Sequence, residues 1–134
     1  MAPVSGSSAA AQQATICVVE SDPREREALS QLLSHLQHDV SAFDSAEALL
    51  GTIDDLSIGM IVASLELPGM SGLELLQALR ARGCQAPTIM LAGESDVATA
   101  VGAIRAGAMD FIQKPVIDRV LLRRVRDALE HPGA

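Results

Sequence analysis

Four short stretches of this chain fall at the ends of apolar runs, and three of them carry side chains able to handle a charged ligand: Glu20-Ser21-Asp22, Ser64-Leu65-Glu66 and Lys114-Pro115, the fourth being Ala92-Gly93. Their carboxylates (Glu20, Asp22, Glu66), hydroxyls (Ser21, Ser64) and one ammonium (Lys114) are the groups that surround divalent cations and phosphoryl groups. Mg²⁺ is usually held by one or two carboxylates completed by phosphate and water. Phosphoryl transfer depends on positioning and on charge neutralisation around the oxygens. A serine hydroxyl is neutral, a weak metal ligand and a poor nucleophile without an adjacent base. The cysteines, Cys17 and Cys84, have no CxxC spacing and no histidine cluster beside them, and read as small core or loop residues of a reducing compartment. Met60, Met90 and Met109 read as core filler in or beside strands.

Something must bring these stretches together, and the hydrophobic pattern says what. Short apolar runs at Thr15–Val19, 39–43, 59–64, Thr88–Ala92 and 109–113 alternate with longer segments of helical spacing. Helix starts are explicit. Asp22-Pro23-Arg24-Glu25 precedes Leu29, Leu32, Leu33 and Leu36; Asp44 with Glu47 precedes Leu49, Leu50 and Ile53; Ser71 with Glu74 precedes Leu75, Leu76 and Leu79. Gly83 ends the third helix. Ser95 or Asp96 caps a fourth carrying Val97, Val101 and Ile104, stopped near Gly107, and a fifth runs from about Asp118 to His131-Pro132-Gly133. Alternating strands and helices predict an α/β fold: a doubly wound, five-stranded parallel sheet in a three-layer sandwich. In such sheets function sits beyond the carboxyl ends of the strands, where the four stretches fall.

Bulk properties set limits. At 134 residues the chain is one domain by size. Hydrophobic residues make up 49% but aromatics only 1%, so the core is expected to be aliphatic. A net charge of −7 argues against direct nucleic-acid binding. No apolar run reaches the ~20 residues of a membrane span, and no signal peptide is evident, so a cytoplasmic protein is expected. Residues 1–14, rich in Ala, Ser and Gln, read as a disordered leader.

Two longer motifs carry a family resemblance. Leu67-Pro68-Gly69-Met70-Ser71-Gly72-Leu73-Glu74-Leu75 is similar to the loop after strand three, and Ala106-Gly107-Ala108-Met109-Asp110-Phe111-Ile112-Gln113-Lys114-Pro115 to strand five and its Lys-Pro, of the receiver domain of bacterial two-component response regulators. Gly93-Glu94-Ser95-Asp96-Val97 resembles the FixJ-type subgroup of transcriptional regulators. The resemblance covers residues 15–131 as a receiver domain and implies the (βα)5 flavodoxin-like fold. It also implies five groups for phosphorylation: an acidic pair holding Mg²⁺, an acceptor aspartate, a Ser or Thr, and a lysine. Matched to those positions, this chain has Glu20 and Ser21 at the acidic pair, Ser64 at the acceptor, Ala92 at the Ser/Thr and Lys114 at the lysine. Three of the five are changed, so the resemblance points to a degenerate pocket of Glu20, Ser21, Asp22, Ser64, Glu66, Ala92, Lys114 and Pro115. No catalytic residue, no enzymatic activity, no cofactor and at most weak Mg²⁺ binding are expected. Ser64 is expected to fill the acceptor's space and hydrogen-bond Lys114, while Lys114 pairs with Glu20.

What remains is an interaction face. The family switches by repacking its fourth helix, fifth strand and fifth helix, a common dimerisation surface. Here it offers Val97, Val101, Ile104, Arg105, Asp110, Phe111, Arg119 and Arg123, with further arginines at 124 and 126 read as salt-bridging and protein-contacting. The expectation is a phosphorylation-independent pseudo-receiver that dimerises and regulates transcription through a C-terminal DNA-binding domain beyond Ala134. The alternatives are phosphorylation on a displaced carboxylate, Glu66 or Asp22, and a small-molecule sensor using the vacated acidic pocket.

Overall fold

The computed structural model describes residues 14–130. Strands and helices alternate: β1 Thr15–Val19, α1 Pro23–Leu33, β2 Val40–Phe43, α2 Ala46–Thr52, β3 Ile58–Ser64, α3 Gly72–Ala81, β4 Thr88–Ala92, α4 Val97–Arg105, β5 Asp110–Gln113 and α5 Asp118–Glu130. Single 3₁₀ turns follow α1 and α2 and lead into α4. All strand pairs are parallel, in the order β2-β1-β3-β4-β5. The chain moves from β1 outward to β2, then returns to β3 on the other side of β1. That reversal opens the crevice in which such sheets place their ligands.

The side-chain period of two in the central strands sends alternate residues to opposite faces. Cys17, Val19, Ile61, Ala63 and Met90 meet Leu49 of α2, Leu75, Leu76 and Leu79 of α3, and Ala100 and Ala103 of α4. Ile16, Val18, Met60, Val62, Ile89 and Leu91 meet Leu29 and Leu33 of α1 and Leu121 and Val125 of α5. Burial on both faces explains why β1, β3 and β4 read as near-continuous apolar runs.

Most helix signals act as the sequence suggests. Asp22 caps α1 by accepting from the Arg24 amide at 2.9 Å, with Pro23 in the first turn. Ser71 and Glu74 form a reciprocal capping box on α3. Gly83 and Gly107 take φ of 85° and 111° just past the ends of α3 and α4. The second helix departs from expectation. Its cap is Ser45, which accepts from the Ala48 amide at 3.1 Å, so Asp44 is not the cap. Starting one residue later leaves Glu47 short of the position from which it could reach back to the cap. Its carboxylate instead accepts from the Met70 amide at 2.8 Å, tying α2 to the β3–α3 loop. Asp96 precedes α4 without a side-chain capping bond. β2, β3 and β5 begin one residue away from the expected starts. The expected leader, residues 1–14, lies, apart from Ala14, outside the described residues, as does the expected helix stop at His131-Pro132-Gly133.

One glycine is fixed by close approach. A Cβ on Gly72 would lie 2.4 Å from the Ser64 carbonyl oxygen and 2.9 Å from the Leu65 Cα. Only glycine lets the start of α3 press against the end of β3, where the Gly72 amide donates to the Leu65 carbonyl at 2.8 Å. That contact fixes the strand end carrying Ser64.

Candidate functional site

Three strands end on one buried carboxylate. Glu20 follows β1 and is 3% exposed; Ser64 closes β3 and is 1% exposed; Lys114 follows β5 with its side chain 27% exposed. The Ser64 hydroxyl and the Lys114 ammonium both donate to Glu20 Oε1, the latter at 2.9 Å. Glu20 Oε2 accepts from the Asp22 amide at 3.0 Å. Backbone bonds hold the frame: the Glu20 amide donates to the Phe43 carbonyl at 3.0 Å and the Lys114 amide to the Ala92 carbonyl at 2.8 Å. Arg26, one turn into α1, donates through Nη1 to the Glu20 and Ser21 carbonyls at 2.9 and 3.3 Å. Glu25 approaches Lys114 Nζ from the solvent side at 3.5 Å.

The expected Ser64–Lys114 hydrogen bond is not what forms. Both groups are donors converging on one oxygen of Glu20, which bridges them. The anionic acceptor is stronger than a neutral hydroxyl, so each donor is better satisfied by the carboxylate. Among the described residues no buried side-chain nitrogen or oxygen lacks a partner.

Burial disfavours the charged form of Glu20, but the Ser64 hydroxyl, the Asp22 amide and Lys114 together outweigh it and hold the carboxyl below its ordinary range. Burial likewise disfavours the Lys114 ammonium, and Glu20, with help from Glu25, outweighs it and holds the lysine above its usual value. The signs give opposite limbs. Glu20 contributes stability that is present above its unfolded pKa of about 4.3 and lost as pH falls through the lower folded value. Lys114 contributes stability that is present below about 10.4 and lost as pH rises through its higher folded value. Urea unfolding across pH should therefore decline at both ends, and Glu20→Gln should flatten both site-specific limbs. Unchanged limbs in that variant would disprove the assignment.

The other sequence candidates divide. Ala92 is buried at the end of β4 and Ser21 is half-buried, contributing its carbonyl to Arg26. Asp22 is exposed and occupied as the α1 cap; Glu66 and Pro115 are exposed. As a donor set this does not fit a divalent cation. It offers one inward carboxylate whose two oxygens already face proton donors, and the described residues hold no group of three His, Cys, Asp or Glu able to chelate a metal. Elsewhere, burial, with a smaller contribution from Cys84, pushes the Cys17 thiol up to about 12, an unreactive core residue.

On the α4–β5–α5 side, Val101, Ile104 and Met109 are 45%, 39% and 44% exposed, so Met109, unlike the buried Met60 and Met90, is not the core filler expected of it; Arg105, Arg119 and Arg123 are also exposed. Asp110 pairs with Arg124, and half-buried Phe111 packs toward the α2–α3–α4 core. Val97 begins α4, and its side chain lies outside the described residues. Sequence reasoning missed Glu25 and Arg26 as site neighbours. Their position one turn past a strand end was the available signal; Glu25 is read there only as part of the helix start, and Arg26 is given no role.

Parallel strand order, a carboxyl-end crevice and a lysine after β5 define a class, and the comparisons agree. Residues 16–126 match the response regulator receiver domain, and the chain belongs to that family. It is similar to the response regulator protein TmoT of Ectopseudomonas mendocina, at 38% identity over 119 residues, covering 89% of this chain and 54% of that protein. It is also similar to the transcriptional regulatory protein FixJ of Rhizobium meliloti, at 38% identity over 117 residues, covering 87% and 57%. The crystal structure of FixJ-N superposes with a TM-score of 0.81 at 37% identity, covering 90% of this chain and 97% of that one. The chain thus spans a little over half the length of these two curated relatives.

Proposed function

We propose that this receiver domain signals without phosphorylation, as a protein-interaction and dimerisation module that regulates transcription through an output domain. Counting from Pro68 and from the strand ends, Ser64 stands where the family's phosphorylated aspartate belongs, with Ser21 and Ala92 replacing two further groups of the reaction. The observation that carries the reading is the shared Glu20 oxygen: Ser64 and Lys114 are both spent on it. The lysine that would neutralise a phosphoryl oxygen already has its counter-charge, and the acceptor's place holds a buried hydroxyl with no free base. Asp22, a candidate substitute acceptor, is engaged as a helix cap. Mg²⁺ binding is correspondingly weak, and no enzymatic activity is assigned.

The surface that remains is α4–β5–α5, whose exposed Val101, Ile104 and Met109 offer apolar area for a second copy. Sedimentation velocity tests this. The 134-residue chain should show a concentration-dependent dimer that acetyl phosphate with Mg²⁺ leaves unchanged and Ile104→Asp abolishes. A dimer appearing only with acetyl phosphate would contradict the proposal.

A further inference from the structure

A cavity lies beside the Glu20–Ser64–Lys114 cluster, and Ser64 is not among its lining residues. It occupies about 190 Å³ between α1, the end of β4 and the β5–α5 loop. Its walls include Leu29, Leu32, Leu91 and Val116, while Glu25 and Asp118 stand at its edge. Both carboxylates are exposed. Asp118 has no ion pair among the described residues, and Glu25 has only Lys114 at 3.5 Å, a lysine already committed to Glu20 at 2.9 Å. The cavity therefore combines an apolar interior with two exposed carboxylates at its edge, Glu25 shared with Lys114 and Asp118 without an ion pair among the described residues, at the carboxyl end of the sheet where α/β folds take ligands.

We infer that this cavity binds a small organic cation, an ammonium carried on a compact apolar body. The apolar body is removed from water against the leucines and Val116, and the ammonium meets Glu25 and Asp118 in charge-assisted hydrogen bonds. Charge complementarity selects this class: a neutral molecule leaves both carboxylates unanswered and an anion is repelled by them. Because Glu25 also faces Lys114, occupancy is felt at the Glu20–Ser64–Lys114 cluster. The cavity supplies a route by which a metabolite-sized amine reaches the centre of a receiver domain without phosphoryl transfer.

The test titrates the 134-residue chain with cyclohexylammonium and, separately, with cyclohexanol, following backbone amide and Lys114 side-chain resonances by NMR. Saturable shifts should cluster at Leu29, Leu32, Leu91 and Val116 and extend to Lys114, with the ammonium binding about tenfold more tightly than the alcohol. Glu25→Gln and Asp118→Asn, each checked for an unchanged fold by the remainder of the spectrum, should each reduce that preference and together remove it. Equal binding of both probes, insensitive to the two substitutions, would identify a plain apolar groove and overturn the inference. So would shifts at these residues that follow protein concentration without any probe, which would assign the surface to a second copy, and so would the absence of shifts there with either probe.

Discussion

Lys114→Met should lower folding stability by about 3 kcal/mol. The methionine keeps most of the side-chain volume but removes the ammonium, leaving Glu20, 3% exposed, with only the Ser64 hydroxyl and the Asp22 amide for company. Breaking a buried pair on one side is costly because the remaining charge stays desolvated without its partner. Pairing the change with Glu20→Gln should recover a large part of the loss, since the uncompensated charge is then gone. Urea unfolding of the two single variants and the double variant measures this directly. A loss under about 0.5 kcal/mol for Lys114→Met would mean the ammonium behaves as a surface charge rather than the keystone of the site.

The second large effect concerns Mg²⁺. Ser64→Asp alone puts a new carboxylate beside Glu20, with Lys114 as the nearest cation, and on our proposal should not confer full phosphorylation, because the proposed losses at Ser21 and Ala92 remain. Ser64→Asp combined with Ser21→Asp supplies the acidic cluster that Mg²⁺ requires. Calorimetric titration should then show at least tenfold tighter Mg²⁺ binding than the unaltered chain, ahead of any gain in phosphorylation. Full phosphorylation from Ser64→Asp alone would show that the surrounding pocket is less altered than we propose.

Much of the fold was legible because few forces compete in it. Strands buried on both faces must be apolar throughout, and β1 and β4 could be bounded to the residue from that pattern. Asp22, Ser71 and Glu74 cap locally, so three or four residues contain the whole interaction. Glu47 shows the limit. Its local pattern read as a capping box, yet its carboxylate bonds Met70, 23 positions away, a contact created only when the sheet folds. The site behaved the same way. Strand ends pointed to Glu20, Ser64 and Lys114, but the direction of each hydrogen bond was not readable from residue types. Ser64 and Lys114 can bond each other as easily as they can bond a carboxylate, and burial of Glu20 between them decided the matter. Glu25 and Arg26 were missed for the opposite reason: their place one turn past a strand end puts them near the site, but on a charged helix surface residue type does not say which side chains turn toward it.

The central claim, that the receiver fold is kept here without its phosphoryl chemistry, is tested most directly by intact mass. After incubation with acetyl phosphate and saturating Mg²⁺, the 134-residue chain should retain its unmodified mass, while a phosphorylatable receiver treated in parallel gains one phosphoryl group. A stoichiometric phosphoryl adduct on this chain, mapped to Ser64, Glu66 or Asp22, would contradict it.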